Sequence, residues 1–169
     1  MAGDRERRKW WSMELKELVD GFGAALKIEG LSLDAEGKAA FTADGMWVGI
    51  ADNAVTRTFS LTGRIGETPP EGRERLDRLF LKTNAMFVSG SGMSVGLDAE
   101  DRYVLMSSLE YTYLTTETFA EKVEAFLNEL ERLCALAKSF PGSTQEVAKA
   151  AADSAAEAKM LSEGGFLQV

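Results

Sequence analysis

Histidine is absent from the 169 residues of this chain. That removes Ser-His-Asp and Cys-His catalysis and every histidine-based metal site, and leaves carboxylates, lysine, serine and tyrosine as available chemistry. Cysteine occurs once, at Cys134. An internal disulfide framework is therefore excluded, which fits a reducing cytoplasm. No apolar run approaches the roughly 18 residues of a membrane span. The start is charged and has no apolar h-region, so it does not read as a secretory signal peptide, and no membrane insertion is expected. Basic residues are outnumbered, with Lys+Arg at 19 against Asp+Glu at 27 and a formal net charge of -8. Such a surface repels phosphate and argues against nucleic-acid binding. It favours solubility and a basic or neutral partner. What is present suffices for a core: 45% hydrophobic and 27% charged residues, one domain's worth or one domain with a tail.

The stretch 31–51, LSLDAEGKAAFTADGMWVGIA, organises the chain. Leu31 and Leu33 lead into the turn-forming group Asp34-Ala35-Glu36-Gly37. Residues 39–42 read as a strand. Ala43-Asp44-Gly45 turns again, because Asp-Gly readily supplies the positive φ of a tight hairpin. Residues 46–51 return as a second strand, with Met46, Val48 and Ile50 on one face and Trp47 and Gly49 on the other.

The flanks supply the cover for this sheet. Residues 1–10 read as a mobile basic arm, with Arg5, Arg7, Arg8 and Lys9 against Asp4 and Glu6. Trp11, Leu15, Leu18, Val19, Phe22 and Leu26 recur at helical spacing. This helix begins at a Ser12 cap or earlier, and Gly30 can end it. After a turn at 52–55, Phe59, Leu61 and Ile65 alternate with polar residues over 56–65, a third strand. Pro69-Pro70-Glu71 suits a helix start, with Leu76, Leu79, Phe80 and Thr83 on one face of a helix 70–85. A Gly/Ser loop at 89–92 precedes a fourth strand with Met93, Val95 and Leu97. The turn 98–101 leads into a fifth strand, 103–111. From a cap at Thr115 or Thr116, Phe119, Val123, Phe126, Leu130, Leu133, Ala137 and Phe140 form the strongest helical seam in the chain. Pro141-Gly142 stops it. Residues 141–169 form an alanine-rich helical extension in which Ser143 and Glu146 have the form of a capping box.

The chemistry-bearing candidates have plainer readings. The Gly/Ser loop lacks the lysine of a phosphate-binding loop and precedes a strand. Asp98, Glu100 and Asp101, like Asp34 and Glu36, suit solvated turns better than a calcium loop or an acid–base pair. Cys134 beside the last helical seam reads as packing. The expectation is therefore an α+β fold, α-β-β-β-α-β-β-α, with a five-stranded mostly antiparallel sheet and helices packed on it. A sheet with an uncovered face or a free edge invites a second copy or an extended peptide added as a strand.

That order, with the Leu-x-Leu-Asp-x-x-Gly run at 31–37, the Asp44-Gly45 turn, the Val48/Ile50 strand, the proline-led helix, Gly96-Leu97-Asp98 and the long last helix, resembles class I type III secretion chaperones. These are the small acidic Tir/Yop-type effector chaperones of bacteria. The resemblance covers roughly 11–140. It implies a cytoplasmic, non-enzymatic homodimer that takes no cofactor and holds an effector's amino-terminal segment extended without ATP. It also implies dimer contacts around Leu76, Leu79, Phe80, Tyr103, Leu105 and Met106, and effector contacts at Leu18, Phe22, Leu26, Leu33, Phe41, Val48 and Ile50. Each effector-contact position reads first as plain core. The secretion ATPase is a further expected partner. The rival readings are a regulatory adaptor on the same fold and a carboxylate enzyme, the latter needing a pocket that joins Asp52 or Asp98 to another acid.

Overall fold

The computed structural model describes residues 13–140 apart from 68, 70 and 89. The expected basic arm, the Ser12 cap, Trp11, Pro70, the Pro141-Gly142 stop and the extension 141–169 lie outside the described residues. Eight elements follow one another: α1 (Leu15–Leu26), β1 (Lys38–Ala43), β2 (Met46–Asn53), β3 (Thr58–Gly66), α2 (Arg73–Val88), β4 (Met93–Leu97), β5 (Tyr103–Glu110) and α3 (Thr116–Lys138). The strands make one antiparallel sheet in the order β1-β2-β3-β5-β4. The α-β-β-β-α-β-β-α fold expected from the sequence is the one observed.

The turn chemistry explains the first half of the sheet. Ala43 pairs with Met46, leaving a two-residue loop in which Asp44 has φ 49° and Gly45 φ 79°. Two consecutive positive φ values match the right-handed twist of the flanking strands. Cross-strand pairing then aligns Phe41, Val48 and Gly63, and likewise Ala39, Ile50 and Leu61, on one face. That face carries the core. Val48, Ile50, Phe59, Leu61 and Leu105 are fully buried against Phe119, Val123, Phe126, Leu130 and Leu133 of α3.

Gly63 makes the close fit of α3 on the sheet workable. A Cβ there would stand 2.5 Å from Leu130 Cδ2 and 3.1 Å from Phe126 Cε1. α1 closes the other end of the same face. Phe22 meets Phe41 at 5.8 Å and Phe119 at 5.6 Å between ring centroids, both edge-on, a favoured arrangement of ring quadrupoles.

Element ends depart from the expected ones for local reasons. α1 stops at Leu26 because Lys27 turns left-handed at φ 57°, three residues before Gly30. Its first turn is held by a capping box of Glu14 and Glu17. α2 starts at Arg73 because Gly72, at φ 75°, cannot be helical, while its carbonyl accepts from the Arg75 and Leu76 amides. β3 starts at Thr58 because Arg57, at φ 53°, belongs to the turn. The Thr115 cap is observed: Thr115 Oγ1 accepts from the Thr118 amide at 3.3 Å, and the Thr115 amide donates to Thr118 Oγ1 at 2.9 Å.

Candidate functional site

A five-stranded open sheet has two borders, and here they differ. β4 pairs with β5 along one side. On its other side, the Asn84 side chain of α2 accepts from the Val95 amide at 2.7 Å and donates to the Val95 carbonyl at 3.0 Å. A primary amide presents one donor and one acceptor, as a backbone peptide does. Asn84 therefore takes the place that the backbone of a sixth strand would occupy.

β1 is the other border. In an antiparallel pair, backbone groups alternate between facing the neighbour and facing away. Gly37 accepts from the Asp52 amide at 2.8 Å, and the tight loop pairs Ala43 with Met46. Residues 39, 41 and 43 thus bond inward, and Lys38, Ala40 and Thr42 aim outward. Lys38 is already satisfied: its amide donates to Asp34 Oδ1 at 2.9 Å and its carbonyl accepts from the Asp34 amide at 2.8 Å. The peptide groups of Ala40 and Thr42 remain facing out, with exposed side chains.

A depression of about 520 Å³ opens beside this border on the sheet face away from the helices, lined among others by Lys38, Ala40, Trp47, Gly49, Ala51 and Thr62. Its floor is of small residues. The Trp47 ring lies across Gly49, where a Cβ would meet Trp47 Cη2 at 2.7 Å. The Arg64 guanidinium stacks over the same ring at 4.5 Å, a cation–π contact that helps to hold the ring over Gly49.

The expected effector-contact residues divide sharply. Leu18, Phe22, Phe41, Val48 and Ile50 are buried in the core of the single chain. Leu33 is partly buried and Leu26, at 57%, is exposed. Of the expected dimer residues, Leu76, Phe80, Tyr103 and Leu105 are buried, Leu79 is partly buried and Met106 is exposed at 37%. Not singled out from the sequence as surface were Leu81 at 69% and Leu97 at 41%. They flank a groove of about 270 Å³ between α2 and β4 that Phe80, Asn84, Val95 and Tyr103 also line. The helical phase of Leu81, off the Leu76–Phe80 face, is the signal that could have marked it.

The turn acids are occupied structurally. Asp98 accepts from the Glu100 and Arg102 amides at 3.0 and 2.9 Å and from Arg102 Nε at 2.8 Å. The Arg102 side chain, then its amide, hold this carboxyl below the usual range. Tyr111 is fully buried beneath the Arg57 guanidinium, 4.9 Å away; burial first, then Asp52, push its hydroxyl up. Burial also raises the Cys134 thiol, which donates to the Arg64 carbonyl at 3.6 Å. A thiol and a phenol held neutral are poor nucleophiles. Among the described residues no cluster of acids and cysteine could hold a metal, and no helix is long and apolar enough to cross a membrane.

Comparison with known proteins agrees with this geometry. No curated protein matches the sequence. Among solved structures, the ExsC–ExsE complex matches with TM-score 0.64 at 21% identity, over 74% of this chain and 96% of that one. The HopA1–SchA chaperone–effector complex matches with TM-score 0.60 at 18% identity, over 72% and 93%. The Yersinia pestis type III secretion chaperone SycH, in complex with a fragment of YscM2, matches with TM-score 0.55 at 22% identity, over 70% and 98%. At these identities the likeness is one of fold. Residues 17–134 match the model of the Tir chaperone protein (CesT) family. The chain belongs to the CesT family, and with it to the non-enzymatic chaperones that bind effectors of type III secretion.

Proposed function

We propose that this chaperone holds an effector's amino-terminal segment as an added strand along β1, in the bacterial cytoplasm, keeping it extended for secretion. The observation that carries this reading is the asymmetry of the sheet borders. Among the described residues nothing pairs the outward peptide groups of Ala40 and Thr42, whereas Asn84 already satisfies Val95 in the middle of β4. Strand addition draws affinity from backbone bonds and specificity from pockets for alternate side chains. The Trp47 depression lies on one side of such a strand. Of the expected contact residues, Leu26 and Leu33 are the ones with surface to offer. Phe22, Phe41, Val48 and Ile50 then act by shaping the support beneath.

A second copy fits the opposite end. Leu81 and Leu97 expose apolar surface on either side of the groove between α2 and β4, and Met106 adds some on the other face of the sheet; a polar solvent disfavours leaving it bare. In this reading the dimer forms there, with Leu76, Phe80, Tyr103 and Leu105 behind it, so that each β1 faces outward for cargo. The secretion ATPase, as receiver of the loaded complex, belongs to the same reading.

Co-expression with tagged amino-terminal segments of candidate effectors tests cargo binding. Capture of a segment that is protected from protease only in the complex supports it; failure of every segment to co-purify overturns it. Light scattering at micromolar concentration reads the dimer, and a monomer mass there overturns that part.

A further inference from the structure

Within a chain of net charge -8, α2 carries four cations, Arg73, Arg75, Arg78 and Lys82, against Glu74 and Asp77. Arg73 pairs with Asp77 at 3.6 Å. Arg75, Arg78 and Lys82 are exposed and form no ion pair with a described residue. At about 100° per residue the three fall within about 60° of one another, a stripe about 10 Å long. Leu79 follows next around the helix, between this stripe and the buried face of Leu76 and Phe80. The three cations line a groove of about 440 Å³ with Glu74, Leu79 and Phe140. Leu79 and Phe140 are its apolar part, both partly buried against the core. Among the described residues Glu74 is the one acid that lines it. Leu81, about 160° around the helix from Leu79, marks the opposite flank of α2, so the groove beside β4 is a separate one.

We propose that this groove docks an acidic amphipathic segment of a partner protein. An apolar side chain of that segment sits on Leu79 and Phe140, and its carboxylates face Arg75, Arg78 and Lys82. Charge complementarity singles out the occupant. The chain holds 27 acids against 19 bases, yet these three neighbouring cations have no described counter-ion. The acidic excess of the remaining chain repels such a segment, so the stripe both attracts it and decides where it lands. The scale suits a short segment, because two turns of a partner helix span the stripe. A nucleic-acid duplex suits it less. Its charges recur about every 1.7 Å along the axis, so it runs past the stripe into a chain that repels it, and its phosphates place nothing apolar on Leu79 and Phe140. No residue of β1 lines the groove, so the proposal stands or falls apart from the strand-addition reading.

Amide NMR on the full chain tests it. The probe is a synthetic helical peptide of about 15 residues, with leucines on one face and three glutamates beside them at spacings of three and four. The control peptide carries glutamine at those three positions. The expected result is a shift of the Leu79, Lys82 and Phe140 signals with the acidic peptide, while Ala40 and Thr42 stay in place. Affinity is expected to fall at least about tenfold with the glutamine peptide, in R75E/R78E/K82E, and on raising the salt, which screens exposed pairs. A peptide with lysine in place of the three glutamates is expected to recover binding to R75E/R78E/K82E. Should that variant not fold, the glutamine peptide on the natural chain reads the same dependence. Four outcomes overturn the proposal: no shift at the groove, shifts confined to Ala40 and Thr42, shifts as large with the glutamine peptide, or a short DNA duplex outcompeting the acidic peptide. Leu79 and Lys82 signals that move on dilution of the chain alone also overturn it, in favour of a contact between copies.

Discussion

The Asn84 side chain forms two hydrogen bonds to one residue, Val95, at 2.7 Å to its amide and 3.0 Å to its carbonyl. This pairing occupies the middle of one border of the sheet, at Val95, where an added strand would have to bond. It also ties α2 to β4, so that the groove beside Leu81 and Leu97 keeps its shape.

Asn84→Ala should lower unfolding free energy by about 1–3 kcal/mol, the range for leaving part-buried backbone groups without partners. Urea denaturation measures it. Asn84→Asp should behave similarly, because a carboxylate accepts from the Val95 amide but repels its carbonyl. The alanine variant should also self-associate more readily, since an open strand border pairs with other chains. Concentration-dependent light scattering reads that second effect.

Gly63→Ala places a methyl 2.5 Å from Leu130 Cδ2, deep in a packed interior. Overpacking there should cost about 1–3 kcal/mol by urea denaturation. Gly63→Ala combined with Leu130→Ala should cost less than the sum of the two single changes, because the shortened side chain removes the clash.

Asp98 supplies an acid-side dependence. Arg102 and two turn amides stabilise its charged form and hold its folded pKa below the ordinary 3.8. A lowered carboxylate pKa gives stability that is complete above the unfolded value and lost as pH falls through the folded one. The unfolding free energy should therefore decline from about pH 4 downward, and the decline should be shallower in Asp98→Asn. Denaturation at a series of pH values checks the sign. Carboxyl NMR titration of Asp98 checks the shift directly.

Ala40→Pro removes an amide that faces away from β2, so the sheet's internal ladder survives. The variant should fold, keep its oligomeric mass and bind an effector's amino-terminal segment about tenfold more weakly, the consequence of one lost backbone bond plus displaced neighbours. Calorimetric titration against the co-purified effector segment measures it. Ala39→Pro, one residue away, would instead damage the pairing with Ile50 and should unfold the hairpin.

Local rules made most of the architecture legible before any coordinates. Asp44-Gly45 specifies its own turn, Thr115 its own cap, and the alternation of Phe59, Leu61 and Ile65 its own strand. The ends that moved did so at Lys27, Gly72 and Arg57, where a single left-handed residue decides and its neighbours give no periodic hint. The site was harder to read, because hydrophobicity marks a residue as wanting cover without saying what provides it. Phe22, Phe41 and Ile50 are covered by their own chain, whereas Leu26, with the same periodicity, is not. Asn84 meeting Val95 is a through-space pairing of two unremarkable residues, and nothing in the spacing announces it. Ala40 and Thr42 matter through their backbones, to which composition is blind.

Residue-resolved amide hydrogen exchange, on the chain alone and bound to its co-expressed effector, tests the role of β1 most directly. The account predicts that Ala40 and Thr42 exchange readily in the free chain and become protected on binding, while Met93 and Leu97 on β4 keep their free-state rates. Protection appearing along β4 while Ala40 and Thr42 stay unchanged would contradict it.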